Sequence, residues 1–236
     1  MLQRQLEKIL PEVTKSFPVV AIVGPRQSGK TTLCRNFFSE KPYVSFENPD
    51  NRDRFDADPR GFLSNYTAGA IFDEAQNCPQ LFSYLQEIVD SSSQMGRFIL
   101  TGSQHFRLNS GISQSLAGRV ASFRLLPFSY SELQDSSAYG AEMSEVALDA
   151  YLLKGSYPPI YDRQPNVALW YGNYIQTYVE RDVRSLLNVT DLGTFQKFIR
   201  LCAARNGQLV NFSEIGEQAG VSHNTIKSWI SILETS

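Results

Sequence analysis

Hydrophobic positions along this chain follow two rhythms. Through the first 130 residues or so, short apolar runs alternate with stretches where apolar residues recur every three or four positions. Val19-Val20-Ala21-Ile22-Val23 reads as a buried strand, and Tyr43-Val44-Ser45-Phe46, Ala70-Ile71-Phe72, Arg97-Phe98-Ile99-Leu100-Thr101 and Val120-Ala121-Ser122-Phe123-Arg124 read as further strands. Between them, Thr32 to Phe38 reads as a helix, and Leu81, Phe82, Leu85, Ile88 and Val89 mark an amphipathic helix from Pro79 to Asp90. Leu2, Leu6, Ile9 and Val13 recur at helical spacing and predict one amphipathic helix at the N-terminus. Strands alternating with helices predict an α/β fold with a parallel, doubly wound sheet of about five strands.

Beyond residue 134 the pattern becomes helical. Gln134 to Gly140 is small and polar and reads as a linker. Ser144 and Asn166 stand where helix caps belong, ahead of Val146–Tyr151 and of a longer run in which Val167, Trp170, Tyr174, Ile175 and Tyr178 share one side. Ordinary burial preferences put that aromatic stripe in a core. Phe212 to Ala219, the turn Gly220-Val221-Ser222, and His223 to Leu233 with Ile226, Trp229, Ile230 and Leu233 inward resemble a helix-turn-helix, the start of a winged one. The expected organisation is a core at 1–134, a small helical domain at 135–205 and a partial winged-helix segment at 206–236.

Composition narrows the class. An apolar share of 42% supports a packed core, and 22 Lys+Arg against 24 Asp+Glu leaves no basic excess to attract nucleic acid or anionic lipid. From Tyr171 onward acids and bases balance, so DNA binding by the helix-turn-helix is weakly supported. Cys34, Cys78 and Cys202 are widely spaced and read as reduced thiols. The charged N-terminus does not read as a signal peptide, and no apolar run approaches the roughly 20 residues of a membrane span. The expectation is a cytoplasmic protein without membrane partners.

The candidate chemistry starts at Gly24-Pro25-Arg26-Gln27-Ser28-Gly29-Lys30-Thr31, a full match to G-x-x-x-x-G-K-[ST] between a buried strand and a helix. Such a loop wraps phosphates with backbone N–H groups, aided by the positive end of the helix dipole. Lys30 would reach the β/γ-phosphates, the Thr31 hydroxyl would ligate Mg²⁺, and Thr32 closes the loop. Hydrolysis further needs a carboxylate in the magnesium shell and a base for the attacking water. Asp73 and Glu74, ending a short apolar strand, fill those roles on the side of an α/β sheet where ligands bind.

Four further residues are less decided. Ser103 or Gln104, after the strand ending at Thr101, stands where related ATPases sense the γ-phosphate; an ordinary polar turn explains both equally well. Arg119, in Ser115-Leu116-Ala117-Gly118-Arg119, is either an arginine finger, acting in its own site or a neighbour's, or a structural arginine paired with an acid. Arg26 is a rival for the same role. The tetrad Asp73-Glu74-Ala75-Gln76 also spells a helicase signature, but 236 residues leave no room for the two recombinase-like domains that such helicases need.

Taken in order, Gly24–Leu33, Phe72-Asp73-Glu74-Ala75-Gln76, Leu100-Thr101-Gly102-Ser103, Ser115–Val120, Leu126-Pro127-Phe128-Ser129-Tyr130-Ser131-Glu132-Leu133, Gly155-Ser156-Tyr157-Pro158 and Tyr178–Val183 resemble an AAA-type ATPase family of bacteria and archaea that carries a C-terminal domain of unknown function. The likeness runs over essentially the whole chain, and its middle and late segments are the specific ones. It implies a P-loop core of the extended AAA and signal-transduction kind, ATP and Mg²⁺ as ligands, and hydrolysis coupled to a C-terminal module. A slowly hydrolysing nucleotide switch and a DNA-binding regulator are the alternatives. It adds weight to Arg119 without choosing its role, and it leaves a protein partner or homo-oligomer open. Members usually continue well beyond the equivalent of Ser236, which implies a shortened chain.

Overall fold

A computed structural model describes residues 2–103, 115–136, 145–178 and 192–235. Five strands, β1 (Val19–Gly24), β2 (Tyr43–Ser45), β3 (Ala70–Asp73), β4 (Phe98–Ser103) and β5 (Val120–Arg124), form one sheet in the order β2-β3-β4-β1-β5. Every pairing is parallel, as the alternating pattern predicts. β1 lies inside the sheet and every one of its residues is buried, which explains its unbroken apolar run.

Side-chain alternation along β1 divides the core. Val19, Ala21 and Val23 join Phe72 and Leu100 on the face covered by α3 (Pro49–Ala57), α4 (Pro59–Ser64) and α5 (Leu81–Asp90). Val20 and Ile22 join Ile71, Leu33 and Leu10 on the other face, under α1 (Leu10–Ser16) and α2 (Lys30–Phe37).

The N-terminus departs from the single helix expected. A 3-10 turn over Gln5–Lys8 precedes α1, in whose first turn Pro11 lies. Proline is tolerated there because its missing N–H is not needed, whereas inside one continuous helix it would break the ladder. The phase therefore changes: Leu10 is buried, Leu6 and Val13 pack at the core margin, and Ile9 is exposed.

Contacts divide the chain into Met1–Asp162 and Arg163–Ser236. The first unit includes α6 (Tyr130–Gln134), α7 (Glu145–Lys154) and most of α8 (Pro158–Arg163). Phe128 N–H donates to Ser156 O at 2.8 Å, and the Tyr151 hydroxyl donates to Phe128 O at 3.2 Å. The expected linker residues 137–140 and the Ser144 cap lie outside the described residues.

The second unit holds α9 (Val167–Tyr178), α10 (Leu192–Ala203), α11 (Phe212–Ala219) and α12 (His223–Thr235) around Phe195, Phe198, Ile215, Ile226 and Trp229. Asn166 caps α9 by accepting Leu169 N–H, and Gly220, at φ 81°, ends α11 before the turn into α12. The aromatic stripe of α9 is not core, contrary to expectation: no α9 residue is buried. Trp170, Tyr174 and Tyr178 instead stack along the helix at 5.2 and 6.4 Å between ring centroids. Ile175 and Tyr178 reach only the margin of the unit's core. No helix among the described residues is long and apolar enough to cross a membrane.

Candidate active site

The site forms where β1 and β3 end. After Gly24 the chain turns through Pro25–Gly29 and enters α2. A Cβ on Gly24 would stand 2.2 Å from Leu125 O, on the chain leaving β5, whose N–H donates to Val23 O at 2.7 Å. Only a residue without a side chain fits that approach. Gly29, at φ 96°, redirects the backbone into α2.

Lys30 is buried, and its Nζ donates to Gly24 O at 3.0 Å and Pro25 O at 2.8 Å. Burial pushes its pKa down; the carboxylates of Glu74 and Asp73 oppose that, and the nearby Arg26 charge reinforces it. Ser28 is buried too, with no hydrogen-bond partner for its hydroxyl among the described residues. Thr32 is exposed on the first turn of α2. A desolvated ammonium held by carbonyls inside a glycine turn suits a phosphate oxygen as a further partner.

Asp73 is the hub. Thr31 Oγ1 lies 3.3 and 3.2 Å from its two carboxylate oxygens, Tyr43 donates to Oδ2 at 2.6 Å, and Thr101 donates to Oδ1. Strand order explains this gathering, since Asp73 pairs with Ser45 of β2 and the β4 ladder places Thr101 on its other side. Burial and the Asp73 carboxylate both raise the Tyr43 pKa, so its hydroxyl stays a donor. A buried carboxylate beside a threonine hydroxyl is a pair of hard oxygen donors, and it fits magnesium, which takes few protein ligands and shares the rest with phosphates and water.

Glu74 follows in a left-handed conformation, φ 52°. A 3-10 turn, Ala75–Asn77, returns the chain so that Gln76 Nε2 donates to Glu74 Oε2 and lies 3.3 Å from Ser103 Oγ. Ser103 is buried at the end of β4, opposite Gly24. Gln104 lies outside the described residues.

Arg119 is not brought to the site of its own chain, and it pairs with an acid as a structural arginine does. Its carbonyl accepts Val19 N–H, at the start of β1. The phosphate loop follows the other end of that strand, about 16 Å away at about 3.3 Å per residue. The Arg119 guanidinium grips both carboxylate oxygens of Asp90, at the end of α5.

Sequence reading missed Tyr43, Thr101, Gln76 and Arg4 as parts of the site. Arg4 is buried beneath the loop: Nη1 donates to Ser28 O at 2.9 Å, Nε pairs with Glu132 Oε1 at 3.1 Å, and the guanidinium lies 4.8 Å from the Phe128 ring centroid. Only the Gln76 signal, its place two residues after Glu74, was present locally.

A family model described as "AAA domain" matches residues 16–134, and a second, "Domain of unknown function (DUF8612)", matches residues 145–236. The chain belongs to the AAA domain family. Two curated relatives, both named as uncharacterized proteins, Mb2031c of Mycobacterium bovis and Rv2008c of Mycobacterium tuberculosis, are each 33% identical over 220 residues. The alignment takes in 92% of this chain and 47% of each relative, so the chain spans about half their length. Among solved structures, the Walker-type ATPase Paby2304 of Pyrococcus abyssi superposes with a TM-score of 0.61 at 15% identity, covering all of this chain and 89% of that one. That likeness shows the shared fold, and membership of the AAA family points to nucleotide binding and ATPase activity.

Proposed function

We propose that the chain binds Mg²⁺-ATP at the carboxyl ends of β1 and β3 and hydrolyses its terminal phosphoanhydride bond, and that the change of occupancy moves a C-terminal module. The observation that carries this reading is the convergence of Lys30 and Thr31, from the start of α2, with Asp73 and Glu74, from the end of β3, onto one site.

In this reading the loop from Gly24 to Thr32 cradles the phosphates, and Lys30 exchanges its loop carbonyls for phosphate oxygens. Thr31 and Asp73 hold magnesium, which neutralises charge on the β- and γ-phosphate oxygens when bound. Glu74 orients the attacking water and accepts its proton. Ser103, buried at the end of β4 opposite Gly24, donates to the γ-phosphate. Arg119 acts on the site of a neighbouring copy, a reading supported by its place at the start of β5, away from the phosphate loop of its own chain. The partners are accordingly ATP and ADP, a second copy of the chain, and the attached C-terminal part.

Titration with a fluorescent ATP analogue tests the binding half. Lys30→Ala is expected to abolish binding, because it removes the cation that the loop encloses. Tight binding retained by that variant would overturn the site assignment.

A further inference from the structure

Gln76 has no part in the mechanism so far, yet it is among the most constrained polar residues at the site. We propose that Gln76 is a positioning residue for hydrolysis, whose Nε2 holds the Glu74 carboxylate while sharing its second hydrogen with Ser103, so that the γ-phosphate end of β4 and the base act as one unit. This rests on the hydrolytic reading above.

The backbone supplies the first argument. Glu74 is a non-glycine residue at φ 52°, a strained conformation that persists only where its surroundings over-determine it. The turn that follows closes at once, with Asn77 N–H donating to Glu74 O and Cys78 N–H to Ala75 O, both at 3.0 Å. That closure returns the Gln76 side chain beside the Glu74 carboxylate.

The amide supplies the second. An ionised carboxylate only accepts, so Nε2, not Oε1, must face Glu74. Holding that orientation leaves Gln76 Oε1 buried and without a hydrogen-bond partner among the described residues. Flipping the amide would let Oε1 accept from the Ser103 hydroxyl, but it would press that oxygen against the carboxylate. The orphaned oxygen therefore marks the Glu74 contact as the one that decides the geometry.

Ser103 supplies the third. Its oxygen can accept from Gln76 while its hydrogen donates elsewhere. When an anionic phosphate oxygen takes that hydrogen, the Ser103 oxygen becomes a better acceptor, and polarisation passes along the chain to the second Nε2 hydrogen and Glu74. The helicase-like tetrad thus has a local use for its glutamine that needs no second domain.

The test compares wild type with Gln76→Met, which fills the same space without donors, and with Gln76→Ala. Both variants are expected to bind ADP within about twofold of wild type, to lose most of the preference for a non-hydrolysable ATP analogue over ADP, and to turn over about 10- to 100-fold more slowly, the usual cost of losing an outer partner that orients a site residue. Ser103→Ala should change the nucleotide preference to the same extent, and combining it with Gln76→Met should add nothing further. Wild-type preference and rate in Gln76→Met, equal weakening of ADP and ATP-analogue binding, or additive effects with Ser103→Ala would each overturn the proposal. A wild-type protein that binds ATP without turnover would defeat the hydrolytic reading instead. The non-additive change in nucleotide preference then decides the coupling by itself.

Discussion

The Tyr43 hydroxyl donates to Asp73 Oδ2 at 2.6 Å, from the edge strand β2 to the neighbouring β3. The Arg35 guanidinium lies 4.9 Å from the Tyr43 ring centroid, holding the phenol between α2 and the sheet. Asp73 therefore reaches its orientation through groups on two neighbouring strands, β2 and β4, and on the helix α2. Tyr43→Phe removes one donor and keeps the ring. Outer partners of metal-binding carboxylates typically matter by about 10- to 100-fold. We expect the magnesium concentration for half-maximal ATP binding to rise by about tenfold; an unchanged titration would detach Tyr43 from the site.

Arg119 and Asp90 are both partly exposed, and burying neither leaves their pair a minor contributor to folding. Arg119→Ala should stay folded and bind ATP as wild type does, while phosphate release falls steeply; fingers of this kind are worth about 10³–10⁵ in rate. Mixed with Glu74→Gln protein, it should regain activity, because each shared interface then offers one intact base and one intact arginine. Mixtures as inactive as their components would rule out a contribution in trans.

Gly24→Ala tests the close approach of two backbones. The added carbon meets Leu125 O at 2.2 Å, and that atom is backbone and cannot rotate away. A destabilisation on the order of 2–4 kcal/mol is expected from strain of this kind, read as a lower midpoint in urea unfolding. A midpoint equal to wild type would contradict the packing described for β1 and the chain after β5.

Glu132 ties α6 to the N-terminus. Burial would raise its pKa, but the N–H groups of Gln5 and Ser129 and the Arg4 guanidinium outweigh burial and hold it below the ordinary value of 4.5. A carboxylate depressed in the folded state stabilises above its unfolded pKa, and that contribution is lost as pH falls through the folded value. Stability should therefore drop below about pH 4.5, and Glu132→Gln should be less stable at pH 7 with a flatter acid limb. Parallel acid limbs for the two proteins would show that the Arg4–Glu132 pair contributes nothing to the pH dependence.

The parts of this architecture readable from sequence are those whose determinants are close together in the chain. The phosphate loop is a strand, a glycine turn and a helix within 20 residues, and Asp73-Glu74 directly follows the short apolar run Ala70-Ile71-Phe72. Tyr43 and Thr101 were invisible because their role depends on β2 and β4 flanking β3, an order that no local pattern states. Arg4 was invisible for the same reason, its partner Glu132 lying 128 residues away. Arg119 was found but not placed, since it is the parallel pairing of β5 with β1 that puts its end of the strand away from the phosphate loop. The N-terminal helix failed through Pro11, whose effect on phase outweighs the apolar spacing around it. The α9 stripe failed because stacked rings on a helix surface show the same period as a buried face.

Steady-state phosphate release from Mg²⁺-ATP by the purified chain, with Glu74→Gln protein as the blank, tests the central claim most directly. The site described here predicts turnover in the wild type and its loss in the variant, with ATP affinity preserved in both. Release at the same rate from both proteins would contradict Glu74 as the base, and ATP binding with no release from the wild type would contradict hydrolysis by this chain.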